Sequence, residues 1–220
     1  MQAKRAFSWV VLLTTMTLFS AQAQVSVGAK ITRNHTWQQY KDGTYDESAN
    51  LTIWGFGSAL TFDKQLSKYV SVSAELGWMQ RGSKCMPDFI RTPPYSDAQL
   101  VVNYLSVPIF LKGHYPILKN RLLITAELGF SGAWMVSGQQ ILMPSDARIP
   151  VVKTKIDMKT QTTYNRMDYG LNTGVGLSLP IKNGFIDANF AYYYGLKDVY
   201  KIYVSKNRSV AYQLGYRFVL

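Results

Sequence analysis

The sequence predicts an all-β protein, an eight-stranded antiparallel up-and-down transmembrane β-barrel. Three observations carry that reading. Apolar and polar residues alternate with period two in segment after segment, the pattern of strands with two different faces. The links between those segments alternate between long and short, as in outer-membrane barrels. The chain is rich in aromatic residues (14%, 15 of them Tyr) and in Gly, yet its hydrophobic residues are not gathered into helical faces. Beyond the first residues no run approaches the roughly twenty apolar positions that a membrane-spanning helix requires.

The start reads as a secretory signal peptide, residues 1–23, and not as part of the fold. Lys4 and Arg5 form its basic region, Ala6 to Phe19 its apolar stretch, and Ala21-Gln22-Ala23 its cleavage site, leaving Gln24 as the first mature residue. No Leu-x-x-Cys lipobox is present, which argues against a lipid anchor. The mature domain, 24–220, carries 22 basic against 13 acidic residues, a net charge of +9. Export argues against a nucleic-acid partner, and the positive balance suits anionic surfaces such as lipid phosphates. The single cysteine, Cys85, excludes an intramolecular disulfide.

Eight segments follow in order, at about 24–33, 51–62, 69–82, 99–113, 121–138, 164–180, 185–197 and 207–220. Residues 34–50, 83–98 and 139–163 are long polar links, and 198–206 is a moderate one. Residues 63–68, 114–120 and 181–184 are short turns, and Asn183-Gly184 is a tight-hairpin signal. Both termini then lie at the short-turn end, the periplasmic side of an outer-membrane barrel. Aromatics toward strand ends (Trp54, Trp78, Trp134, Tyr192, Tyr194, Tyr212) fit interfacial girdles. The competing fold is a soluble exported barrel of lipocalin type, which turns its apolar face inward around a ligand.

Three related phrases set the polarity of the wall: AELGW at 74–78, AELGF at 126–130 and YQLGY at 212–216. In each, Ala or Tyr and Leu share one face, while a carboxylate or amide shares the other with Gly. A basic residue on the lipid face near the midplane costs about 2–4 kcal/mol, an acid less. The charges are therefore expected in the lumen, a set comprising Glu75, Lys112, Glu127, Arg166, Asp168, Asp187 and Arg217. Glu75 and Glu127, on the third and fifth strands, flank Lys112 on the fourth, within pairing distance if heights match. The interior of an eight-stranded barrel is just wide enough for side chains to fill. An ionic plug is the expected outcome, with a gate or proton-linked switch as the functional alternative.

YLSVPIFLKGHY at 104–115 resembles the tyrosine-leucine-x-(isoleucine/valine)-proline-x-x-x-lysine signature of the PorT-like outer-membrane β-barrel domain of Bacteroidota. ELGWMQRGSK, DYGLNTGVGLSLPI and ANFAYYYGLKDV resemble other strands of that family, so the resemblance covers most of 24–220. It implies an eight-stranded barrel in a Gram-negative outer membrane and no single activity. One branch of the family assists protein secretion. The last residues, Tyr216-Arg217-Phe218-Val219-Leu220, resemble the signal read by the barrel-assembly machinery, although the chain ends in Leu where an aromatic is usual.

No catalytic, cofactor-binding or metal site is expected. His35 falls in the first long link and His114 at a short turn, at opposite ends of the barrel. A lipid-modifying enzyme would need a base and a nucleophile at the outer rim. His35 with Asp42, Asp46, Glu47 or Ser48 supplies residue types but no fixed register. Lys153, Lys155 and Lys159 in the third link are the expected contacts for lipopolysaccharide phosphates or an acidic partner. The leading expectation is a monomeric, non-enzymatic structural, interaction or secretion-accessory protein of the envelope. A small transport pore and a lipid-modifying enzyme are the alternatives.

Overall fold

The first and last strands of this chain pair with each other, and that pairing defines the architecture. The structure, a computed structural model, describes residues 24–40, 52–84, 95–119, 121–202 and 204–220. The strands are β1 (Val25–Tyr40), β2 (Ile53–Ser67), β3 (Val70–Lys84), β4 (Tyr95–Ile117), β5 (Leu122–Pro144), β6 (Val152–Lys155), β7 (Met167–Ile181), β8 (Gly184–Asp198) and β9 (Ser205–Val219). Every strand except β6 belongs to one antiparallel ring. Sequential neighbours pair around it, β5 pairs directly with β7, and β1 closes on β9 from Ser26↔Val219 to Tyr40↔Ser205. Closure removes the sheet edges, the only way a β-structure satisfies its backbone within lipid. No helix occurs among the described residues.

The side chains follow the alternation. On β3, Val72, Leu76 and Trp78 are exposed while Ser71, Ser73 and Glu75 are buried. On β5, Ile124, Leu128, Phe130 and Trp134 are exposed, and Thr125, Glu127 and Ser131 are buried. An apolar exterior around a polar interior is the reverse of a soluble barrel, and it is the arrangement that a lipid solvent selects. The lipocalin-type reading is therefore set aside.

The outer half departs from the sequence expectation. β1 continues to Tyr40 instead of ending near 33, and β4 and β5 each run 23 residues. A strand crosses the bilayer in about 9–11 residues, so the β4–β5 hairpin stands well clear of the membrane. Its outer inward-facing positions are apolar: Leu100, Val102 and Tyr104 on β4, Ala133 and Met135 on β5. They pack with Tyr164, Val199 and Tyr200 from the links into a core that caps the lumen, with Tyr40, Ile156 and Met158 against it. Residues 139–163, expected as one polar link, contain β6, which pairs with β5 from Gln139↔Lys155 to Leu142↔Val152. Tyr164 precedes β7 and bridges to Tyr200. The period-two signal fades here because these side chains pack on loops and not on lipid.

At the periplasmic end the turns are as short as expected. The hairpin after β7 pairs Ile181 with Gly184, so its two-residue loop is Lys182-Asn183 and Gly184 opens β8. A Cβ on Gly184 would collide with the Arg217 carbonyl of the adjacent strand, which accounts for Gly at that position.

Candidate functional site: the charged lumen

Three layers of polar side chains fill the barrel, each built from facing strands. The periplasmic layer holds Asp63 on β2, Lys112 on β4, Asp187 on β8 and Arg217 on β9. Lys112 Nζ lies 3.0 Å from Asp63 Oδ1, and Arg217 Nη1 lies 3.8 Å from the same oxygen. Arg217 also donates to both oxygens of Asp187, through Nε and, at 2.9 Å, through Nη2. Ser178 on β7 donates its hydroxyl to Asp187 as well. Two cations and two anions thus balance in one ring.

In the middle layer, Lys30 on β1 bonds Glu75 on β3 at 2.7 Å and donates to Gln213 Oε1 on β9 at 3.0 Å. The ammonium also stands 5.5 Å from the Phe110 ring centroid, within cation–π range. The outer layer pairs Arg81 on β3 with Asp168 on β7 at 2.8 Å. Asn207 donates to the same carboxylate oxygen at 2.9 Å. The Arg81 guanidinium lies 3.6 Å from the Tyr193 ring and 5.6 Å from the Tyr104 ring. Both partners are almost wholly buried, 3% and 4% accessible at the side chain, so neither charge has water to fall back on.

Several placements expected from the sequence change. Glu75, Lys112, Glu127, Asp168, Asp187 and Arg217 all lie on inward-facing positions, but Lys112 does not bridge the two glutamates. It sits opposite Glu127 in the β4–β5 register, yet its ammonium goes to Asp63 across β3, while Glu75 is taken by Lys30. Asp63 escapes a reading of the sequence because it falls at the edge of the expected short turn 63–68, whereas Lys30, between the outward Ala29 and Ile31, obeys the period-two pattern and is legible from it. Arg81 escapes it because the strict alternation of β3 ends at the aromatic Trp78. Arg166 does not join the lumen. It precedes β7, half-buried at the outer rim, where its carbonyl accepts from Met135 N–H. It lies near Asp157 of the third link, whose carboxyl is held below the usual range first by the Lys159 N–H and the Thr160 hydroxyl, with Arg166 adding a smaller favourable field.

Glu127 is the unbalanced member. It is 7% accessible, its Oε1 has no hydrogen-bond partner, and no described cation pairs with it. Gly174 on β7 makes room for it, since a Cβ there would lie 2.9 Å from that oxygen. A buried charge without a partner is destabilising. Glu127→Gln is therefore expected to raise stability by about 1 kcal/mol, because it removes the charge and keeps the shape. The midpoint of urea unfolding in detergent micelles checks this.

Neither histidine lies where the sequence reading expects it. His35 is on the outward face of β1, with its ring 4.8 Å from that of Trp54. His114 is inside β4 at the periplasmic mouth, and its Nε2 is 2.8 Å from Ser71 Oγ. Its Nδ1 has no partner, so the carboxylate that orients the base of a nucleophilic triad is missing from this pair. Asp42, Asp46, Glu47, Ser48, Cys85 and the leader lie outside the described residues. Lys153 and Lys155 are exposed on β6, and Lys159 is exposed in the turn that follows. Among the described residues no cluster of His, Cys, Asp and Glu is arranged to hold a metal ion.

A closed eight-stranded ring with a lipid-facing exterior and an ionic interior defines an outer-membrane barrel. Residues 19–201 match the family described as outer membrane protein beta-barrel domain, and the chain belongs to that family, which places it in the outer membrane. No curated protein sequence matches it significantly. Among solved structures, OprG of Pseudomonas aeruginosa shares 9% identity at a TM-score of 0.53, covering 90% of this chain and 96% of its own. Ail, the attachment invasion locus protein of Yersinia pestis, solved in complex with the heparin analogue sucrose octasulfate, shares 17% identity, with coverage of 89% and 99% and a TM-score of 0.41. Neisserial surface protein A shares 12%, with coverage of 87% and 96% and a TM-score of 0.44. At these identities the likeness to OprG supports the fold alone.

Proposed function

We propose that this is a closed, non-enzymatic barrel of the PorT-like type, exported by a signal peptide cleaved after Ala23. It acts as a monomeric structural or interaction protein of the envelope, or as an accessory of a secretion system. The observation that supports it is the filled lumen. Ion pairs cross the barrel at three heights, and an apolar cluster of eight buried residues caps the outer end. Planar-bilayer recording tests it: the closed barrel gives no conductance steps, and stable steps would favour the small pore. Loss of secreted proteins on deletion of the gene would identify the secretion-accessory role. The lipid-modifying reading draws no support from the Ser71–His114 pair, and an unchanged lipid A mass spectrum on deletion would eliminate it.

The partners proposed are outer-membrane lipid with its lipopolysaccharide, the barrel-assembly machinery that reads the last strand, and an envelope or secretion protein at the loops. Lys153 and Lys155 project from β6 beyond the bilayer, on a segment whose own acids are few. Reversing Lys153, Lys155 and Lys159 to Glu is expected to weaken binding of lipopolysaccharide vesicles about tenfold, since a few exposed charge contacts together amount to about 1–2 kcal/mol. Surface plasmon resonance at low and high salt checks both the loss and its screening.

A further inference from the structure

The outward face of β1 is apolar from the periplasmic end, through Val25, Val27, Ala29 and Ile31, and then changes abruptly to Arg33, His35 and Trp37. Arg33 is eight residues along from Val25, or about 26 Å of strand and roughly 20 Å of height at a tilt near 40°. The apolar band of such barrels is about 25 Å tall, so Arg33 meets the lipid just inside its outer edge. Its guanidinium lies 4.0 Å from the Phe56 ring and 4.9 Å from the Trp54 ring, both on β2. Trp54 is two residues further out than Phe56 and pairs with His35, so the side chain leans toward the outer surface. Phe56 and Trp54 are themselves half exposed, at 54% and 52%.

The two rings fix the guanidinium plane but accept no hydrogen bonds in its plane. Arg33 makes no ion pair with a described carboxylate, unlike the lumen cations Lys30, Arg81, Lys112 and Arg217. Two rows further out, level with Trp37, Arg208 on β9 is buried against Tyr194, its guanidinium 3.6 Å from that ring and bonded to Gln39 and the Gly195 carbonyl. It too has no ion pair with a described carboxylate, so among the described residues this strip of wall carries uncompensated positive charge. A planar fork held on aromatic rings matches a phosphate oxygen pair. At this height on the outer leaflet the available phosphate is that of the lipid headgroup.

We propose that Arg33, held on Phe56 and Trp54, is a binding site on the barrel wall for the phosphate of outer-leaflet lipid A. The proposal rests on the outer-membrane placement and is separate from the exposed lysines of β6. The test is native mass spectrometry of the folded barrel, released from phosphatidylcholine micelles doped with bis-phosphorylated lipid A, dephosphorylated lipid A or phosphatidylglycerol. The wild type is expected to retain bis-phosphorylated lipid A about tenfold better than R33Q, the worth of one charge-assisted contact. R33K should be intermediate, because it keeps the charge and loses the fork. F56L, which keeps Arg33 but removes its platform, should also lose retention, and it serves where R33Q fails to fold. Heat-modified gel mobility certifies folding in each case. Retention by folded R33Q and F56L equal to wild type would overturn the site, as would equal retention of dephosphorylated lipid A. Equal retention of phosphatidylglycerol would overturn the assignment to lipid A. None of these outcomes bears on whether the lumen is closed, which conductance reads separately.

Discussion

Replacing Arg81 with Met is expected to destabilise the barrel by about 3–5 kcal/mol, the usual cost of breaking a buried pair from one side. The substitution leaves Asp168 at 3% accessibility with the Asn207 amide as its remaining donor. One of its oxygens already has no partner. It also removes a cation from the face of Tyr193, 3.6 Å away, so an aromatic contact is lost with the charge. The companion Arg81→Met/Asp168→Leu should recover most of the loss, because two apolar groups of similar volume leave no charge to desolvate. Urea unfolding in detergent micelles, followed by tryptophan fluorescence and by heat-modified gel mobility, measures both. A single substitution costing well below the buried-pair range, under about 1 kcal/mol, would mean that water reaches Asp168 and that the outer layer is not sealed.

The contrast between the two halves of the barrel explains what is legible in the sequence. Where lipid covers the outer face, most inward positions are polar or small, Phe110 being an exception, and most outward ones apolar, so period two marks every strand. Val72, Leu76 and Trp78 against Ser71, Ser73 and Glu75 is such a case. Strand number, turn lengths and the inward side of Glu75, Glu127, Asp187 and Arg217 are all readable there. Above the membrane the inner face turns apolar at Leu100, Val102 and Met135, and already at the outer edge of the apolar band the outer face carries Arg33 and His35. The two faces then look alike, which is why the sequence understates β1 and β5 and hides β6. Pairing within the lumen is legible only as a set of charges. Lys112 faces Glu127 in register but reaches Asp63, because a long flexible side chain selects its partner across the lumen and not along one strand pair.

Asp63→Asn at the periplasmic end should destabilise by less than the roughly 3–5 kcal/mol of a buried pair broken outright, because Lys112 has a second carboxylate opposite it, and its consequence for Glu127 is the sharper test. Asp63 is 3% accessible and is the acceptor for Lys112 at 3.0 Å, with Arg217 3.8 Å from the same oxygen. Arg217 keeps Asp187 when Asp63 is neutralised, since two of its nitrogens already donate there. Lys112 loses its ion-pair partner. The carboxylate left unpaired beside it is Glu127, directly opposite on β5. In the Asp63→Asn background Lys112 is therefore expected to turn to Glu127, and the role of Glu127 inverts. Glu127→Gln, stabilising by about 1 kcal/mol in the wild type, should destabilise the Asp63→Asn protein by at least as much. That sign reversal gives a coupling of about 2 kcal/mol, within the range seen for residues sharing one charge network. The four unfolding midpoints of the cycle measure it. Additive effects would mean that Lys112 and Glu127 cannot meet across the β4–β5 register, and that the lumen holds one fixed set of pairs.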